Sequence, residues 1–281
     1  MHAKKYIIWA VLFAAGFLVC YPIFFLVIGS LMGQVELKEV LGPVLSGNGG
    51  YVNFPFMPLF PTLRNYVGVL MDSPEFFVMF WNSVKTTGAI LLGQFLVSVP
   101  GAWGFARYDF PFKRMLFTLY ILLMMMPFQV TMLSGYLVLD NIGLLDTLWA
   151  VILPAVFSTF PVFIMYQFFV GIPKAIIESA RIDGAGELQI FLIFGLRLGA
   201  PGILSAMVLG FLEYWNLIEQ PLTYLKDQSL WPLSLYLPNI SLEQAGTAFA
   251  ASLLTLIPAL LVFLGGQEYL EQGIMAAAVK E

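Results

Sequence analysis

Apolar residues come in long runs separated by short polar breaks. A run of ~20 mostly apolar residues is long enough to cross hydrocarbon as a helix. Six runs qualify: Tyr6–Met32, Lys85–Phe105, Met115–Leu139, Thr147–Val170, Gly199–Ile218 and Ala245–Gly266. The second is preceded by the aromatic stretch Phe76–Trp81, too much for one straight span. That stretch is expected to be an outer interfacial or re-entrant helix, with Asn82 or Ser83 capping the true span. The pattern predicts an all-α, polytopic membrane protein of six transmembrane helices. Its parts are a first span over 6–32, an outer loop and interfacial helix over 33–81, and a five-helix core over 82–266. That core contains an inner loop at 171–197, and a tail over 267–281 follows it.

Composition agrees: 60% of the 281 residues are hydrophobic and 11% charged, against about 25% charged in a soluble domain. With the N-terminus inside, Lys4, Lys5, Arg107, Lys113, Arg114, Lys174, Arg181, Arg197 and Lys280 lie on the inner side. Lys38, Arg64, Lys85 and Lys226 lie on the outer side. The excess of inner basic residues favours N-in, C-in. The Lys4-Lys5 pair ahead of an apolar run could open a signal peptide, but the run is long and lacks a small-x-small cleavage site. It reads as a retained span. Pro22, Pro100, Pro127, Pro154, Pro161 and Pro258 fall within spans. Bent helices around a path would suit a transporter, although proline is commoner in membrane helices in any case.

Two outer segments are long. Gly33–Glu75, with Pro55, Pro58, Pro61 and the Gly47–Gly50 cluster, reads as a loop with little regular structure. Glu219–Gln244 carries Pro221, Pro232 and Pro238. Either could meet an outside partner or be a solvated connection.

The residues restrict the chemistry. One cysteine, Cys20, allows no intrachain disulfide. One histidine, His2, excludes a multi-histidine metal site and leaves little room for histidine acid/base work. There is no Gly-x4-Gly-Lys-Ser/Thr phosphate loop. The expected role is a transport subunit rather than an enzyme, with no catalytic residues and no metal.

The most charged inner loop runs Gly171-Ile172-Pro173-Lys174-Ala175-Ile176-Ile177-Glu178-Ser179-Ala180-Arg181-Ile182-Asp183-Gly184-Ala185-Gly186-Glu187-Leu188. Pro173 fits a helix first turn, and Ala175 to Ile182 favours helix. Asp183-Gly184 signals a turn with glycine supplying the left-handed backbone, after which a second helix can start near Gly186. Small residues at Ala175, Ser179 and Ala180 leave room for another protein. Glu178 and Arg181 are free to pair across or within that contact.

This loop resembles the EAA loop of binding-protein-dependent ABC importer permeases: Glu-Ala-Ala, three residues, Gly, nine residues, Ile-x-Leu-Pro. Glu178, Ala180, Gly184 and Leu196 match, and Asp183 and Ala185 fit the common Asp-Gly-Ala form. Ser179 replaces the first Ala, Phe194 stands for Ile, and Arg197 stands where Pro is usual. The resemblance extends over roughly Asn82 to Lys280 and is nearest the maltose-type, carbohydrate-uptake permeases. Ala102-Trp103-Gly104-Phe105-Ala106-Arg107, Met126-Pro127, Gly143-Leu144-Leu145-Asp146-Thr147, Trp215-Asn216 and the tail from Gly273 to Lys280 follow in order.

The resemblance implies the type I ABC importer transmembrane fold in a bacterial cytoplasmic membrane. It implies that Glu178, Ser179, Ala180, Arg181, Asp183, Gly184 and Ala185 couple to a separate ATPase. That ATPase would hold ATP and Mg, leaving no cofactor in this chain. It also implies a second homologous permease subunit, two nucleotide-binding subunits and an extracytoplasmic solute-binding protein. No nucleic acid partner is expected. The tail near Gly273–Lys280 either contacts the ATPases or frays. In position, Glu219–Gln244 matches an outer loop that reaches into the binding protein, with Lys226, Asp227, Gln228 and Ser229 as its contacts.

For the solute path, polar and aromatic groups at span depth single out Glu213, Tyr214, Trp215 and Asn216; an interfacial aromatic belt is the alternative. The solute is expected to be a sugar or oligosaccharide, because few basic groups lie at depth. A polyamine or glycerol phosphate importer, or an ion-coupled carrier, are the alternatives. A carrier would want internal repeats or intramembrane acids and has no use for a coupling loop.

Overall fold

The computed structural model describes residues 2–45, 50–51, 57–236 and 244–278, and all regular structure in them is helical. In chain order the α-helices are α1 (His2–Ser30), α2 (Gln34–Leu45), α3 (Arg64–Leu70), α4 (Pro74–Arg107), α5 (Lys113–Met124), α6 (Phe128–Asn141) and α7 (Leu148–Val156). They continue with α8 (Thr159–Gly171), α9 (Lys174–Ile182), α10 (Glu187–Ile190), α11 (Leu196–Trp215), α12 (Glu219–Tyr224) and α13 (Ala245–Ala278). Five helical stretches are long and apolar enough to cross a membrane, and the bent pair α5–α6 makes a sixth.

The chain forms two compact units, residues 1–77 with 236–257, and residues 78–235 with 258–281. In the first, Met32, Leu37, Leu41 and Ala245 form a core with Phe25, Ile28 and Phe249 against it. Asn65 ties the end of α1 by donating to the Ser30 and Met32 carbonyls at 2.8 and 2.9 Å. Gly33–Glu75 is therefore not an irregular loop. Val35, Leu37, Val40 and Leu41 recur at helical spacing behind Glu36 in the first turn, which gives α2. Pro55, Gly47–Gly49, Pro238 and Lys280 lie outside the described residues.

In the second unit the core joins α4, α8, α9, α10 and α11 through Val99, Trp103, Met165, Phe169, Ile177, Ile190 and Ile203. Helices α8 and α11 meet where α11 presents glycine: a Cβ on Gly199 would lie 2.2 Å from the Phe169 ring, and one on Gly202 2.5 Å from Phe168. Close helix approach of this kind replaces the hydrophobic drive that lipid removes.

Three span assignments need correction. Phe76–Trp81 is not a separate interfacial helix; α4 is continuous over 34 residues, about 50 Å at 1.5 Å per residue. Asn82 and Ser83 do not cap it. They sit inside it and reach sideways, as described below. Met115–Leu139 is not one straight helix: it is the bent pair α5 and α6, which meet at 103°. Pro127 has no N–H to continue α5 and stands extended (φ −68°, ψ 151°) before α6. Finally, α13 does not stop near Gly266 but runs to Ala278, so most of the expected tail is helix.

Candidate functional site: a braced turn, a cleft and a clamped outer segment

The 171–197 segment folds as an amphipathic helix, a tight turn and a second helix. Pro173 stands just before α9 in an extended conformation rather than inside its first turn. Ile177 and Ala180 point into the core, each 5% exposed. At the other end Gly184 takes φ +86°. The Ala185 N–H bonds the Ala180 carbonyl and the Gly184 N–H that of Arg181, both at 3.0 Å. That is a full Schellman closure, for which glycine has no steric penalty. Ile182 and Leu188 flank the turn, 86% and 71% exposed.

Charge braces the turn. Arg181 grips Glu187 with two bonds, Nε–Oε1 at 2.7 Å and Nη2–Oε2 at 3.1 Å. Tyr108, just past α4, donates to the same carboxylate at 2.9 Å. That carboxylate and the partial burial of the ring raise the Tyr108 hydroxyl pKa, desolvation first. Beyond Glu187 the backbone runs as α10, then as a π-helical turn over Phe191–Gly195 before α11. The irregularity lies just ahead of Arg197, which is itself helical and exposed.

A second feature is a cleft of about 970 Å³, lined among others by Met124, Ser134, Ser158, Glu213, Tyr214 and Gln220. Glu213 is the single charged residue among the described lining. Tyr214 is held by Gln94, whose Nε2 donates to the Tyr214 hydroxyl and to the Ala155 carbonyl, both at 2.8 Å.

A third feature is the segment after α12. The Asp146 carboxylate accepts from the backbone N–H groups of Lys226 and Asp227, both at 2.8 Å. Asn82 donates to the Ser229 and Trp231 carbonyls at 2.7 and 3.2 Å. Ser83 accepts from the Leu233 N–H at 2.7 Å. Asp227 caps the 3-10 turn Gln228–Leu230 through the Ser229 N–H at 2.9 Å, which lowers its pKa.

Residues 97–276 match the family model described as binding-protein-dependent transport system inner membrane component. The chain belongs to that family. It is a permease subunit of an ABC importer, a transport component rather than an enzyme, and a multi-pass protein of the bacterial plasma membrane.

The permease is 29% identical over 269 residues to the arabinooligosaccharides transport system permease protein AraQ of Halalkalibacterium halodurans, covering 94% of this chain and 92% of the relative. It is 30% identical over 215 residues to the sn-glycerol-3-phosphate transport system permease protein UgpE of Yersinia pestis bv. Antiqua (strain Antiqua), covering 75% and 76%. Its fold matches a chain in the crystal structure of a bacterial ABC transporter involved in the import of the acidic polysaccharide alginate. The TM-score is 0.82 at 20% identity, covering 95% of this chain and 96% of that one.

Within the permease the residues singled out from sequence separate into groups. Glu178, Ser179, Arg181, Asp183 and Gly184 lie together on the exposed side of α9 and its turn. Ala180 points away from them, 5% exposed in the core of its own chain. Ala185 is half-buried against the same core. Arg181 does not pair with Glu178 in this geometry; its partner is Glu187, which the sequence pattern did not single out.

Glu213 and Tyr214 line the cleft, but Trp215 and Asn216 do not. Trp215 is 2% exposed and stacks on Phe211, centroids 5.5 Å apart. Asn216 turns back to the Leu212 carbonyl at 2.9 Å. Four successive residues cannot share one helix face. Lys226, Asp227, Gln228 and Ser229 are exposed in side chain but pinned in backbone.

Proposed function

We propose that the exposed face of α9 and its Schellman turn is the seat of a separate nucleotide-binding subunit. Glu178, Ser179, Asp183 and Gly184 form the polar part of that face, and Ile182 and Leu188 the apolar part. One observation carries this reading: two large apolar side chains stand almost fully exposed on a turn that is otherwise closed, capped and braced. Exposed apolar groups on a rigid mount suit a protein contact. ATP and Mg would be held by the partner. The family pattern adds a second permease subunit and two such ATPases, with this chain as receiver of their movement.

For the solute we favour an uncharged sugar or oligosaccharide delivered by an extracytoplasmic binding protein. AraQ is an arabinooligosaccharide transport permease by name. The cleft supports the choice: it presents hydroxyls, amides and aromatic rings with Glu213, and no lysine or arginine among its described lining. A carboxylate without a cation opposes an acidic polysaccharide or a phosphate ester. Glu213 and Tyr214 are the solute-path residues of this reading, and the exposed side chains of Lys226 to Ser229 its binding-protein contact.

The test is Gly184→Asp in the importer assembled with its ATPase and binding protein. The expected result is normal membrane insertion with ATP-driven uptake of an arabino-oligosaccharide at least tenfold lower. Uptake at the native rate would remove the coupling role from the turn.

A further inference from the structure

The end of α4 touches the coupling segment on both sides of α9. On the approach, Arg107 donates through Nη2 to the carbonyl of Phe169 and, at 2.7 Å, to that of Ile172. Both carbonyls lie where α8 ends, and that of Phe169 also accepts from the Ile172 N–H. On the departure, Tyr108 holds Glu187, and Glu187 holds Arg181 at the end of α9. Between the two, the Trp103 ring meets Phe169 edge-on at 5.3 Å and Phe191 at 5.7 Å. A Cβ on Gly195 would come within 3.0 Å of that ring. Arg107 also lies 5.4 Å over the Trp103 ring. Trp103 and Arg107 in the last turns of α4, with Tyr108 just past it, therefore hold the chain before and after α9.

These contacts differ in kind from ordinary packing. Arg107 is a charged donor to backbone carbonyls, stronger than a neutral bond. Its Nε is buried with no hydrogen-bond partner, so that N–H has given up water, and the side chain holds its place through the two carbonyls and the Trp103 face. Tyr108 reaches a carboxylate already fixed by a two-bond arginine. Neither contact is needed to end α9, whose C-terminal turn is closed by its own backbone.

We propose that this end of α4 is the mount through which movement of the coupling segment is passed into α4, with Arg107 and Tyr108 as its positioning residues. The proposal rests on α9 being the ATPase seat. A push on α9 then moves its two flanks together with α4 instead of hinging at Ile172–Pro173 or at the Gly184 turn. At its other end α4 is bonded through Asn82 and Ser83 to the 229–233 segment.

The experiment uses the importer assembled with its ATPase and binding protein, with Cys20→Ser and spin labels at Leu96 of α4 and Leu133 of α6. Both positions are exposed. Distances between the labels are read with and without ATP plus vanadate, and trapped nucleotide is counted in the same samples. In the native background the distance distribution shifts. With Tyr108→Phe or Arg107→Lys, nucleotide trapping stays within twofold while the shifted population falls by at least half. Tyr108→Phe removes one hydroxyl from a partly exposed ring and keeps the fold. An unresponsive native pair, or both variants responding in full, overturns the mount. Gly184→Asp is measured alongside: if it still responds in full, the coupling seat itself fails. If it abolishes the response while Tyr108→Phe and Arg107→Lys retain it, only the mount fails.

Discussion

Arg181 and Glu187 face each other across the Gly184 turn with two hydrogen bonds, 2.7 and 3.1 Å, although each side chain is about half exposed (46% and 48%). An exposed pair of this kind adds little to stability. Its value lies in orientation: it fixes the angle at which α10 leaves α9, and it presents the carboxylate to Tyr108. Glu187→Gln should therefore leave thermal unfolding of the permease in detergent nearly unchanged, while lowering solute-driven ATPase activity of the assembled importer severalfold. A large drop in melting temperature would show that the pair is structural.

Gly184 has no atom of its own chain within 4 Å of where a Cβ would stand, so its own fold requires only the backbone conformation, and Gly184→Asp harms the seat through its added charge. A left-handed backbone costs a β-branched side chain the most and asparagine the least. Gly184→Asn should retain most of the coupling, and Gly184→Val should lose about 1–2 kcal/mol at the helix end together with co-purification of the ATPase. Equal behaviour of the two variants would point to contact rather than conformation.

Ala180 and Ser179 are neighbours in sequence but point in opposite directions. Ala180→Leu adds volume to a closed core and should destabilise the permease by about 1–3 kcal/mol. Ser179→Leu faces outward and should leave melting unchanged while weakening retention of the nucleotide-binding subunit. Thermal unfolding and affinity co-purification, run on both variants, separate the two effects.

Asp227 is held below the usual carboxylate range by the Ser229 N–H. For a depressed acid the contribution is present above the unfolded value, about 3.9, and is lost only as pH falls through the lower folded value. The turn at 227–230 should thus keep its form from neutral pH down to pH 5. Binding-protein affinity measured over that range should show no inflection from this residue. Asp227→Asn, which keeps an acceptor, should bind nearly as well as native, whereas Asp227→Ala should bind several times more weakly.

Much of the candidate site was legible in local sequence. Asp183-Gly184 announces a helix end because few residues other than glycine tolerate φ +86° cheaply. The Leu144 and Gly143 N–H groups close the end of α6 in the same way on the Leu139 and Asp140 carbonyls. What the pattern missed were partners distant along the chain: Glu187 with Tyr108, 79 residues apart, Asp146 with Lys226, 80 apart, and Asn82 with Ser229, 147 apart. Asn82 looked like a cap because caps are what asparagine most often does near an expected helix start. Only a view of the 229–231 carbonyls shows its real use.

The sequence alone determined the solvent and the family. Long apolar runs with 11% charge leave no other stable state for most of this chain than helices in lipid, and the spacing of Glu178, Ala180 and Gly184 carries the resemblance to the family's loop. The tertiary structure decided direction. Helical periodicity says that neighbours diverge, but not which one turns inward, and packing sent Ala180 and Trp215 into the core while leaving Ser179 and Glu213 out. It decided continuity as well. Pro100 lies within α4, whereas Pro127 ends one helix and begins another at 103°. A proline removes the same bond in both places, and its surroundings settle whether the helix runs on.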